Sequence, residues 1–278
     1  MKKRVYILLL TAVFIVGLAL LLYPSFSDYW NSIHQSRAIA DYAEKVKTMD
    51  GQKYDKIWQE ASEYNSKLNN RNNLFSLSDE ERAVYSSTLD IGGTGIMGYI
   101  EIPAISVRLP IYHGVDDGIL EIGIGHIEWS SLPVGGENSH CVISGHRGLA
   151  SSTLFTNIDK LKEGDLFMLR VLDEVLSYRV DLISIVEPED TEKLMPQKGK
   201  DLCTLVTCTP YGVNTHRLLV RGHRVETKEA ETVFITSDAL QTDPLIVAAV
   251  IAFPAILIIF TVIMIPKGKS HTKQKKKS

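Results

Sequence analysis

Two uncharged apolar runs bracket the chain, one over residues 5–23 and one over residues 245–265. At 19 and 21 residues, each is long enough to cross a hydrocarbon core of about 30 Å as a helix. The first follows Lys2, Lys3 and Arg4, as a signal peptide would. It is long for the apolar part of such a peptide, and Leu22-Tyr23-Pro24-Ser25-Phe26 lacks a small-x-small cleavage pattern, so it reads as an uncleaved anchor. The second contains Pro254, which a membrane helix tolerates. It has no polar face, as a soluble helix of that length would.

Between these runs the period changes twice. Residues 28–70 read as helix: Ile39, Tyr42, Val46 and Met49 form one stripe, Asp50-Gly51 breaks it, and Ile57, Ala61, Tyr64 and Leu68 form another. Residues 69–98 are rich in Asn and Gly and read as a connector or flap, with a short helix near 78–85 opened by a Ser78 and Glu81 capping box. From residue 97 the period is two. Ile100 and Ile102 alternate with other positions, as do Leu176, Tyr178, Val180 and Leu182, and later Leu218 and Val220. Pro110, Gly114, Pro133, Gly164, Pro188 and Pro210 punctuate short branched runs, the pattern of a sandwich or barrel. The expected division is a basic start and first span (1–27), a helical neck with a flap (28–96), a β-rich domain (97–228), a linker (229–244), a second span (245–265) and a Lys-rich tail (266–278).

Charge gives this division an orientation. The net charge of −3 over 278 residues conceals an asymmetry: no acid precedes Asp28 or follows Asp243. Of 30 basic residues nine lie at the two ends, which leaves 21 against 33 acids between them. A middle that acidic excludes nucleic acid as a partner. The basic ends place both termini in the cytoplasm, the lipid bilayer as a partner, and residues 28–243 outside. Three cysteines, Cys141, Cys203 and Cys208, leave at least one free thiol in that outer part, and a disulfide between Cys141 and Cys203 stays open.

The chemistry concentrates at strand ends. Cys208 closes a strand in Thr204-Leu-Val-Thr-Cys-Thr-Pro210, because proline cannot continue a ladder. His146 lies in Ser144-Gly-His-Arg-Gly148, just after another short strand. Arg217 opens a strand in which Arg217, Leu219, Arg221 and His223 share one face. If 202–208 and 217–225 pair as a hairpin, Cys208 and Arg217 are neighbours. A thiol, an imidazole and a guanidinium suit acyl transfer: the thiolate attacks, the imidazolium protonates the leaving amine, and the guanidinium holds the carbonyl oxygen. Taken singly the residues have plainer readings: a buried strand cysteine, a turn histidine, a surface arginine in an ion pair. His126, His140 and His216 compete with His146, although His216 points to the face opposite Arg217. No Cys or His spacing suits a metal, and Gly92-Gly-Thr-Gly95 lacks the Lys and helix of a phosphate loop, so no metal and no cofactor is expected.

Residues 97–226 resemble the sortases, the cysteine transpeptidases of Gram-positive cell surfaces. Thr204-Leu-Val-Thr-Cys208 matches the TLxTC signature, and His146, Cys208 and Arg217 fit the catalytic trio. Ser131-Leu-Pro-Val-Gly-Gly136, Ser144-Gly-His-Arg-Gly-Leu149, Cys208-Thr-Pro-Tyr-Gly212 and Asn214-Thr-His-Arg-Leu-Leu-Val-Arg-Gly222 are similar to the class C, pilus-building branch. The resemblance implies a closed eight-stranded β-barrel with a helical N-terminal extension, carried here between two membrane helices. It implies cleavage of an LPxTG-like sorting signal, a thioester on Cys208, and transfer to a lysine of the next pilin subunit. The alternatives are a sortase that anchors proteins to peptidoglycan, a cysteine protease, and a non-catalytic membrane scaffold. One departure stands out. Class C enzymes often carry an Asp-Pro-aromatic lid, and residues 65–98 hold no Asp-Pro; Leu74-Phe75 or Tyr85 are the residues left to insert in its place.

Overall fold

The computed structural model describes residues 2–68, 75–149 and 151–226. The second apolar run, the linker before it, the Lys-rich tail and the Asn-rich start of the flap (69–74) lie outside the described residues.

Helix α1 (Lys2–Lys47) runs unbroken from the first apolar run into the neck, with Pro24 inside it. No change of structure marks the expected border at residue 27. Gln35, Ile39 and Tyr42 are buried one helical turn apart and face the β-structure. The Tyr42 hydroxyl donates to the Met97 carbonyl and accepts from the Leu172 amide. Helix α2 (Gly51–Leu68) buries Ala61, Tyr64 and Leu68 on the anticipated stripe. Asn65 adds a bond in each direction with the Leu132 backbone, which satisfies a buried amide without a strand partner. Helix α3 (Asp79–Ser87) begins with the expected capping box of Ser78 and Glu81.

The β-domain comprises β1 (Ile96–Ile102), β2 (Val107–His113), a short α4 (Asp117–Ile122), β3 (Ile124–His126), β4 (Ser139–Ser144), β5 (Leu166–Val171), β6 (Glu174–Val186), β7 (Asp201–Thr209) and β8 (His216–Val225). The strands close into a barrel in the order β1-β2-β3-β4-β7-β8-β6-β5. Its interior takes one residue in two from each strand, including Ile100, Ile111, Ile143, Phe167, Tyr178, Leu205 and Val220. A second apolar cluster, Val142, Val186, Leu194, Val206 and Leu219, lies on the outer face of β4, β7 and β8, with Ile127 and Trp129 against it. β7 and β8 pair antiparallel, whereas β4 and β7 pair parallel. These two pairings determine where the chemistry sits.

Candidate active site

Cys208 and Arg217 are direct cross-strand partners on β7 and β8, as the hairpin reading expects. Alternation places both on the outer face with Val206 and Leu219. His146 arrives from β4. The parallel register pairs Ser144 with Val206, so His146 and Cys208 each lie two residues further on, at the same end of adjacent strands. The Gly145 amide donates to the Val206 carbonyl, and the Thr207 hydroxyl returns a bond to the Gly145 carbonyl. The turn before His146 is thus bonded to the strand that ends at Cys208. A Cβ at Gly145 would lie 2.7 Å from the Phe155 ring, so glycine is needed for this approach.

Among the described residues, little binds the three side chains. Cys208 is half-buried, while Cys141 and Cys203 are buried in the barrel interior. Those two thiols are opposite one another in the β4–β7 register and both are free. Arg217 donates to the carbonyls of Asn214 and His216 and, among the described residues, meets no carboxylate. Its fork therefore retains donors for a ligand oxygen. Arg221, four residues along the same face, is committed: its Nε and Nη2 bond both oxygens of Asp181 at 2.9 and 3.1 Å.

The competing histidines are engaged elsewhere. His126 is inside the barrel, between the Tyr85 hydroxyl and the Ser131 carbonyl. His140 is buried on the outer face between Met195 and Thr204, and burial lowers its pKa to about 4, so it is neutral at neutral pH. His216 meets Glu187 and the Thr215 hydroxyl. Tyr85, one residue proposed to plug the site, is itself buried, with its hydroxyl accepting from the Gly114 amide. Phe75 lies edge-on to Trp129 at 5.0 Å between ring centres.

Sequence reading missed Arg147. Its guanidinium bonds Asp159 and the Thr209 hydroxyl and lies 5.9 Å from the centre of the Tyr211 ring. One side chain therefore joins the residue after His146 to the residues after Cys208. Gly148 supports the same contact: its φ is +78°, and a Cβ there would meet Tyr211 at 2.9 Å. Nothing in the local pattern sets Arg147 apart from an ordinary turn arginine. A cleft of about 670 Å³, lined by Val46, Tyr54, Tyr99, Arg170 and Leu172, lies at the β5–β6 turn, the barrel end away from Cys208.

Residues 100–225 match the sortase domain model. The crystal structure of sortase C1 from Streptococcus agalactiae is 52% identical, with a TM-score of 0.67, over 68% of this chain and 98% of that one. A sortase C from Clostridium perfringens, solved with the C-terminal cell wall sorting motif, is 44% identical, with a TM-score of 0.61, over 69% of this chain and 99% of that one. Sortase D of Bacillus subtilis is 35% identical over 131 residues, 46% of this chain and 63% of that protein's length. Fold and matched sequence agree, and the chain belongs to the sortase family of cysteine transpeptidases.

Proposed function

We propose that this chain is a membrane-anchored transpeptidase of pilus assembly, with Cys208 as nucleophile. The observation that carries this reading is the register that sets Cys208 opposite Arg217 and one strand from the His146 turn. The Cys208 thiolate attacks the carbonyl of the Thr–Gly bond in an LPxTG-like sorting signal. The His146 imidazolium protonates the departing glycine amine, the C–N bond breaks, and an acyl thioester remains. A lysine amine of the next pilin subunit then attacks the thioester, His146 takes its proton, and the thiolate leaves as an isopeptide bond forms. Arg217 holds the oxygen that becomes negative in both steps.

The likeness to a Streptococcus pneumoniae sortase C whose structure was described for its pilin substrate specificity supports the pilin acceptor. In the same reading, residues 5–23 of α1 cross the bilayer, the 245–265 run crosses it again, both termini are cytoplasmic and the barrel is outside. The test is incubation of the full-length protein in vesicles with pilin subunits carrying such a signal, followed by mass spectrometry. A Thr–Lys isopeptide cross-link between subunits is expected. Exclusive transfer to a cell-wall amine, or hydrolysis alone, contradicts it.

A further inference from the structure

Helix α1 enters the barrel contacts immediately after its uncharged stretch. Asp28 is the first acidic residue of the chain, five residues beyond Tyr23, or about 7 Å of helix. It already accepts from the Thr153 amide and hydroxyl, in the loop that follows His146. Asn31 donates to the Ser151 carbonyl and Gln35 to the Ser152 hydroxyl of the same loop. Tyr42 binds Leu172 in the β5–β6 turn. The strand registers put that turn at the barrel end away from Cys208: β6 meets Arg217 at Val186, its last residue, and begins at Glu174. Over about 21 Å of helix from Asp28 to Tyr42, the contacts therefore pass from the Cys208 end to the opposite end.

The other face of the same helical segment is aromatic and bare. Phe26, Tyr29 and Trp30 are 65%, 56% and 55% exposed, and Phe26 stacks on Trp30. By helical spacing they point away from Asp28, Asn31 and Gln35. They lie three to seven residues past Tyr23, about 4–10 Å along the helix, so they begin in the headgroup layer of about 5–8 Å outside the hydrocarbon, and the usual tilt of a membrane helix brings Tyr29 and Trp30 closer to it. Aromatic side chains favour that layer. On the barrel, the β7–β8 connection at the same end exposes Tyr211 and Val213, with Tyr211 packed against Gly148 of the His146 turn.

We propose that the barrel stands end-on over the bilayer, its Cys208 end toward the lipid headgroups, with Phe26, Tyr29 and Trp30 in the headgroup layer and the β7–β8 connection beside it. The nucleophile then opens into the membrane-proximal layer, and the segments it reaches are those presented close to the lipid surface. This rests on the reading that α1 spans the membrane.

The experiment uses the full-length protein in phosphatidylcholine–phosphatidylglycerol vesicles containing lipids spin-labelled either at the headgroup or deep in the acyl chain. Single-tryptophan proteins are made from a Trp30→Phe, Trp58→Phe, Trp129→Phe background, with Phe14→Trp, Tyr211→Trp or Glu174→Trp added singly. A fourth protein keeps Trp30 alone. The headgroup label is expected to quench Trp30 and Tyr211→Trp about threefold more than Glu174→Trp, which marks the far end. Val213→Trp repeats the measurement on the same connection if Tyr211→Trp fails to fold. Quenching of Tyr211→Trp or Val213→Trp no greater than that of Glu174→Trp overturns the end-on placement. Deep quenching of Phe14→Trp reports the span itself. Its absence overturns the anchor reading, and its presence with an unquenched Tyr211→Trp overturns the orientation alone.

Discussion

Arg217 and Arg221 share a strand face but not a role, and the difference lies in their partners. Arg217→Lys keeps the charge and loses the planar fork, so turnover should fall about 100-fold if Arg217 holds the developing oxyanion. Its melting temperature should hardly move, because carbonyl contacts at an exposed strand end contribute only about 0.5–1.5 kcal/mol. Arg221→Lys should do the reverse, since it breaks a two-point pair with Asp181 while leaving the rate near wild type. A rate assay beside thermal melting separates the two. Equal rates for both variants would remove Arg217 from the chemistry. Arg147→Ala is expected to lower kcat about 10- to 100-fold, because a small misplacement of the His146 turn against the Cys208 strand is costly. KM should change far less, and Arg147→Lys should restore part of the loss. A loss of rate that simply follows loss of melting temperature would make Arg147 structural. Cys208 and Arg217 were legible as neighbours because strand alternation and a short connection decide them. Arg147 was not, because its importance comes from Thr209, Asp159 and Tyr211, which are distant in sequence.

Strand β4 carries a second measurable property. His140 is held neutral between Met195 and Thr204, with its pKa lowered from 6.5 to about 4 by burial. The unfolded chain binds a proton at His140 below pH 6.5 and the folded chain does not until near pH 4, so stability is full above 6.5 and is lost as pH falls toward 4. The loss from this residue is about 3 kcal/mol. Denaturation at a series of pH values should show a shallower acid decline for His140→Gln than for the wild type, and parallel curves would refute the assignment. The elements themselves were read well where their signal is local: the α2 stripe, the α3 capping box and the end of β7 before Pro210. At residue 27 the composition changes from apolar to charged without interrupting helical hydrogen bonding, and α1 continues into the neck.

At the scale of the whole molecule, strand order is the part that local pattern does not encode. Periodicity indicates many short strands, but the parallel pairs β2–β3 and β4–β7 join segments separated by long connections, and only the family resemblance anticipated a closed barrel. Those non-local pairings are also what assemble the site, so site and fold become visible together. Charge asymmetry makes a separate prediction: with tags at each end, protease added to cells stripped of their wall should digest the middle and spare both tags. Removal of a C-terminal tag from outside would overturn the two-span topology.

The central claim is that Cys208 carries the acyl group, and trapping that intermediate tests it most directly. Full-length protein is incubated with a peptide bearing an LPxTG-like motif and no amine acceptor, quenched in acid, and digested for mass spectrometry. The predicted result is a hydroxylamine-labile adduct of the fragment ending in threonine on the peptide containing Cys208, absent in Cys208→Ala and retained in Cys141→Ala and Cys203→Ala. An adduct on Cys141 or Cys203, or covalent polymer formed by Cys208→Ala, would contradict it.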